Sequence, residues 1–161
     1  AAAFDATGSV FDLGDLGPSL GVAQRLSDLD PQALAWVQAL LGADALVVAS
    51  PVYKGSYAGL FKHLFDLVDP LALVGKPVLL AATGGGDRHA LVIEHQLRPL
   101  FGFLEAQSLA TGVYASDADF IDRLPAAPVL LQRLDRAVAQ FGHYLPRRPV
   151  PVQDRSFAEA I

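Results

Sequence analysis

The 161-residue chain is 52% apolar and 18% charged, with a net charge of −5; this suits one domain with a sizeable core and argues against wholesale disorder. Three lysines against nine arginines, with no basic stripe interleaved with aromatics, disfavour nucleic acid as a partner. No apolar run reaches the roughly 18 residues of a membrane span, and the lack of cysteine excludes disulfides, thiolate metal sites and a cysteine nucleophile. The start carries no signal-peptide pattern, so the expected setting is the cytoplasm.

In chain order, Ser9–Leu13 ("SVFDL") is expected as a short strand before a Gly-rich loop. Asp30 then precedes Pro31: an N-cap residue followed by proline at the first helical position, with apolar spacing at Leu34, Val37 and Leu41 up to Gly42. Ala45–Ala49 ("ALVVA") is a continuous apolar run, expected to be a parallel strand covered on both faces. A helix follows from about Tyr57, with Tyr57, Leu60, Phe61, Leu64, Phe65 and Val68 on one face.

Pro77–Ala82 ("PVLLAA") is a second buried strand and runs into "TGGGD". The segment "RHALVIEHQLRPLFGFLEAQ" is expected to be helical, kinked or interrupted at Pro99. Leu109–Ala115 is a third strand, and Pro128–Tyr144 a last helix striped by Leu131, Leu134, Val138 and Phe141. Residues 1–145 are expected to form a single domain, and 146–161 a Pro-rich tail without periodicity. Alternating strands and helices imply an α/β domain with a parallel sheet, whose ligands gather beyond the carboxyl ends of the strands. Two unusual loops, "SPVYKGSY" and "TGGGD", follow consecutive buried strands and should share one rim.

Three glycines leave backbone amides uncovered, so a flat ligand can approach the main chain, although a strand-to-helix turn needs the same residues. Asp87 is placed to cap the following helix. The spacing matches neither a Walker loop nor a GxGxxG fingerprint. In the first loop Tyr53 offers a flat apolar face and Lys54 a cation for a phosphate or for solvent. Tyr57 lies on an apolar stripe and suits a core or subunit interface. His89 suits a ligand contact or a helix cap, and His63 the helix surface. The four histidines form no metal cluster; His89 and His95, six apart, diverge on a helix. No nucleophile–base set has supporting spacing, which points to a ligand that carries its own chemistry, such as a redox cofactor.

The stretch from Ala43 to about Phe120, through SPVYKGSY, LFDLVDPLALVGKPV and ATGGGDRH, resembles the NAD(P)H-dependent FMN reductases of flavodoxin-like fold. It is most similar to the branch that serves two-component alkanesulfonate monooxygenases. The resemblance implies a doubly wound, parallel five-stranded sheet ordered 2-1-3-4-5, with the family's first strand and phosphate loop (GSxRxxS) absent from this chain. An amino-terminal segment is therefore expected to be missing. It further implies that Pro51, Val52, Tyr53, Lys54 and Gly55 lie beside the isoalloxazine, and Thr83, Gly84, Gly85 and Gly86 at its pyrimidine edge. Tyr57 would take the position of a π-helical turn at a subunit interface, and His89 remains a further candidate contact. The implied reaction is hydride transfer from NAD(P)H to FMN, with reduced flavin passed to a partner monooxygenase by a homodimer or homotetramer. A quinone or azo reductase with tightly held FMN, and a non-catalytic electron carrier, remain as alternatives.

Overall fold

In the computed structural model, which describes residues 4–146, helix α1 (Pro31–Gly42) starts where expected. The Asp30 carboxylate accepts the N–H groups of Gln32 (3.0 Å) and Ala33 (2.9 Å), while Pro31 needs no partner. Strand β1 (Leu46–Pro51) leads to α2 (Gly59–Asp66), and β2 (Pro77–Gly84) to α3 (Arg98–Phe103). The short β3 (Gln107–Ser108) and β4 (Val113–Ser116) precede a small hairpin, β5 (Phe120–Ile121) with β6 (Leu124–Pro125), and then α4 (Pro128–Ala139).

The sheet is parallel and centres on β2, which pairs with β1 along one edge and with β3 and β4 along the other. The predicted third strand is thus split in two. Arg98, Arg133 and Gln140 staple the segment between its halves, holding the carbonyls of Leu109 and Gly112 and the N–H of Thr111. One core, including Phe61, Phe65, Val78, Leu80, Leu97 and Phe101, fills one face of the sheet. Leu79, Val113, Leu130, Ala137 and Phe141 belong to the core on the other. Each of these Val, Leu and Phe side chains, fully buried, contributes on the order of 1.5–3 kcal/mol. Of the expected stripe, Leu134, Val138 and Phe141 do pack in this core, joined by Leu130 and Ala137, while Leu131 faces outward.

Two expectations are corrected, and the interruption expected near Pro99 takes a particular form. Ser9–Leu13 is not a strand: it pairs with no strand among the described residues, and Phe11 instead stacks on Trp36 of α1 at 5.1 Å. β1 is not covered on both faces; Leu46, Val48 and Ser50 are buried, whereas Val47 is 65% exposed. The reason is position, since β1 is the outer strand of the described sheet and the helices on that face lie over β2 and β4. The long helix predicted around Pro99 is broken into a 3-10 turn (Asp87–His89), a π-turn (Ile93–Leu97) and α3. Pro99 has no N–H and its ring would press on the carbonyl four residues back, so the helix widens there and the Arg98 N–H reaches the Ile93 carbonyl five residues away. The predicted tail lies outside the described residues beyond Pro146.

Gly112 sits where that π-turn meets the sheet. A Cβ there would lie 2.6 Å from Ile93 Cγ2 and 3.5 Å from the Leu80 carbonyl oxygen. Gly112→Ala is expected to destabilise the fold by about 1–3 kcal/mol through overpacking; urea unfolding monitored at Trp36 measures it.

Candidate functional site

β1 and β2 run side by side from Leu46 opposite Val78 to Pro51 opposite Thr83, so both leave the sheet at the same rim. The ladder continues one step beyond the strands, the Val52 N–H donating to the Thr83 carbonyl at 2.7 Å. Ser50, only 3% exposed, closes the base of the first loop. Its Oγ donates to the Pro51 carbonyl and accepts the Ala58 N–H, both at 3.0 Å. Tyr53 and Ser56 exchange backbone hydrogen bonds of 2.8 and 3.1 Å around a two-residue turn, Lys54–Gly55. Both turn residues have positive φ (52° and 84°), the pattern of a type I′ hairpin, in which glycine is at ease and lysine is not. The turn lifts the Tyr53 ring to 63% exposure.

The second loop lies against the first. A Cβ on Gly84 would stand 3.6 Å from Val52 Cβ and 2.5 Å from Tyr114 Oη, so no larger residue fits without displacing the tyrosine. Tyr114 comes from β4, opposite Ala82, and its hydroxyl donates to the Gly86 carbonyl at 2.6 Å. Burial, together with the carboxylates of Asp87, Asp117 and Asp119, pushes the Tyr114 phenol above its ordinary range, so it remains a donor at neutral pH. Beyond Gly84, the N–H groups of Gly85 and Gly86 meet no acceptor among the described residues. A Cβ on Gly86 would meet nothing within 4 Å. The main chain here is open on its outer side.

A third segment completes the rim. After β4, Asp119 accepts the Ser116 N–H (2.7 Å) and Oγ (3.0 Å) in a capping box. This brings Asp117 beside Gly85, its Oδ2 lying 3.7 Å from where a Cβ would be. Tyr114 and Ser116–Asp119 are the rim residues that sequence reasoning missed. The S-x-x-D pattern behind a predicted strand was the available signal.

The structure brings Pro51, Val52, Tyr53, Lys54 and Gly55 together with Thr83, Gly84, Gly85 and Gly86. Tyr57 is placed differently from expectation: it precedes α2 in non-helical backbone, half-buried against Phe61 at 5.8 Å, and the π-turn is at Ile93–Leu97 because Pro99 is there. Asp87 is the first residue of its short 3-10 turn and does not cap it; Gly86 precedes it in extended backbone. His89 ends that turn, half-buried. His63 is half-buried rather than fully on the surface, its Nε2 enclosed with no hydrogen-bond partner among the described residues. A cavity of about 640 Å³ lined by Ala6–Ser9, Ala43–Ala45 and Leu145 lies at the opposite, amino end of β1. Ligands of parallel α/β sheets bind at the carboxyl ends, so the rim, not this cavity, is the candidate site.

Residues 1–120 match the family model described as NADPH-dependent FMN reductase, and the chain belongs to that family. It is an α/β oxidoreductase of flavodoxin-like fold, with FMN and NAD(P)H as its reactants. Among its relatives, the NADH-dependent FMN reductase SfnF of Pseudomonas fluorescens is 51% identical over 140 residues, covering 84% of this chain and 75% of the relative. FMN reductase (NADPH) of Pseudomonas aeruginosa is 49% identical, covering 83% and 74%. An oxidoreductase from Corynebacterium diphtheriae, known from its X-ray structure, superposes with a TM-score of 0.69 at 36% identity, covering 84% and 73%.

The contact between Gly84 and Tyr114 is directly testable. Gly84→Ala should cost about 1–2 kcal/mol by breaking the Tyr114–Gly86 hydrogen bond and crowding the ring. Adding Tyr114→Phe should return part of that loss, because a Cβ at Gly84 lies at an ordinary 3.5 Å from the ring carbon that bears the hydroxyl. Urea denaturation of both variants checks the sign of each step.

Proposed function

We propose that the rim of Pro51–Gly55 and Thr83–Gly86 is the flavin site, and that FMN passes through it as a substrate before leaving, reduced, for a flavin-dependent monooxygenase. The observation that carries this reading is the pair of N–H groups at Gly85 and Gly86 without an acceptor among the described residues, on a main chain left open at Gly86 and flanked at Gly85 by Asp117. Flat heterocycles with carbonyl and ring-nitrogen acceptors fit such an edge. Val52 and the exposed Tyr53 supply an apolar wall beside it, and Lys54 projects a cation outward. When bound, FMN supplies the ring that accepts the hydride of NAD(P)H. The chain's own residues orient the ring and exclude water from one face, while the Tyr114 hydroxyl keeps the Gly86 carbonyl turned inward, away from the ligand edge.

Residues 1–145 act as one domain in this reading, in the cytoplasm; no helix among the described residues is long and apolar enough to cross a membrane. The protein works as a homodimer or homotetramer. Leu60, Leu91 and Phe103, exposed by 48%, 61% and 73% on and between α2 and α3, support a subunit contact there. Light scattering coupled to gel filtration should give two or four chains per particle, and a single chain overturns the assembly.

The reaction is tested on purified protein by following NADH and NADPH absorbance with and without added FMN. Colourless protein whose nicotinamide oxidation saturates with added FMN is the expected result. Yellow protein that ignores free FMN but reduces a quinone or azo dye would move the reading to a tightly held flavin. No oxidation with either nucleotide would overturn reductase activity in this chain.

A further inference from the structure

The first loop is closed at its base by Ser50, but this leaves the Tyr53–Ser56 hairpin standing on Val52 and Tyr57 as a lever. One side-chain contact steadies its returning arm. Ser56 Oγ donates to Gln96 Oε1 at 3.1 Å, across forty residues of sequence. Both side chains are half-buried, which shelters the bond from water.

Gln96 owes its direction to the π-turn. Ile93 and Leu97, the ends of that turn, are 3% and 0% exposed and anchor it in the core. Within the widened turn each residue advances by less than the roughly 100° of an α-helix, so the later residues of the turn, Gln96 among them, are rotated from their places on a continuous α-helix. Gln96 thereby faces the hairpin, while His95, one position earlier, is exposed to solvent. The path from Pro99 to the rim is continuous: proline widens the turn, the turn aims Gln96, and Gln96 holds Ser56.

We infer that Gln96 is a positioning residue for the flavin wall, acting through Ser56 to fix the Tyr53–Ser56 hairpin against the Gly84–Gly86 edge. The inference rests on the flavin-site reading above, since it assigns Gln96 a role in that site. Gln96 touches no reacting group and needs no titration to act. It sets how often the hairpin stands in the orientation that ligand binding requires, so its loss should appear in affinity rather than in the chemical step.

Two independent measurements test this. Amide hydrogen exchange on the ligand-free protein reads the clamp itself: Gln96→Leu should speed exchange of the Tyr53 and Ser56 N–H groups about fivefold, as expected for a lost hydrogen bond. Steady-state kinetics read its use. Gln96→Leu and Ser56→Ala should each raise the KM for FMN about fivefold with kcat changed less than about twofold, and the double variant should be no worse than either single one. Gln96→Glu, which keeps an acceptor for Ser56 Oγ, should restore KM towards that of the unaltered protein. Unchanged exchange in Gln96→Leu overturns the clamp, whatever the enzyme does. Faster exchange with an unchanged KM, or additive effects in the double variant, overturns its role in flavin positioning. Failure of the unaltered protein to oxidise NAD(P)H with FMN would instead strike the reductase reading, leaving the exchange result to stand for the clamp alone.

Discussion

The hydrogen bond from the Val52 N–H to the Thr83 carbonyl is the constraint on which the site depends. It extends the parallel β1–β2 ladder one residue past the sheet, so two loops far apart in sequence leave the core side by side. Its geometry is inherited from β2, whose Val78, Leu79 and Leu80 are at most 2% exposed and packed on both faces. A strand so enclosed cannot slip in register without turning its side chains to the wrong face. The start of both loops is therefore fixed by the register of the core strands, although many of the rim residues beyond it are exposed.

Given that frame, the rim's chemistry comes from what is left uncovered. The Val52, Tyr53 and Ser56 amides are engaged within the first loop or with Thr83, so that loop contributes a wall. Further donors without an acceptor among the described residues lie across from it, at Gly85 and Gly86, besides those of the turn residues Lys54 and Gly55. Gly84 is confined by Tyr114, while Gly86 is open, so glycines in one run differ in surroundings: close packing at one and open space at the other. Tyr114 remains protonated at neutral pH and acts as a brace rather than an acid. A site that braces and positions suits hydride transfer, in which the reactants themselves carry the electrons.

The region around Pro99 shows how one residue reaches the rim from a distance. Its missing N–H produces the π-turn, and the turn brings Ile93 against Gly112 and Gln96 against Ser56. Arg98 lies just before the proline. Its guanidinium binds Glu94 and the carbonyls of Leu109 and Ala110, tying α3 to the break in the third strand. The Arg98 hydrogen bond is also the main cause holding the Glu94 carboxyl below its usual range.

Local signals were enough for much of this protein. Asp30–Pro31 marks the start of α1, the apolar runs mark β1 and β2, and their order along the chain implies a parallel sheet with both loops at one end. Each of these rests on interactions within a few residues or on strand burial, which composition records directly. The rest needed partners that sequence does not name. Ser9–Leu13 has strand-like residues, but a strand exists only when another strand pairs with it. The widened turn could not be located from Pro99 alone, because a kink, a break and a π-turn all relieve the same missing N–H. Tyr114 looked like one residue of a strand until β4 was registered against β2, which set its hydroxyl on Gly86. Sequence by itself determined which segments bury their apolar residues and where the chain turns; tertiary structure alone decided which backbone groups remained unpaired, because pairing depends on neighbours brought together from across the chain.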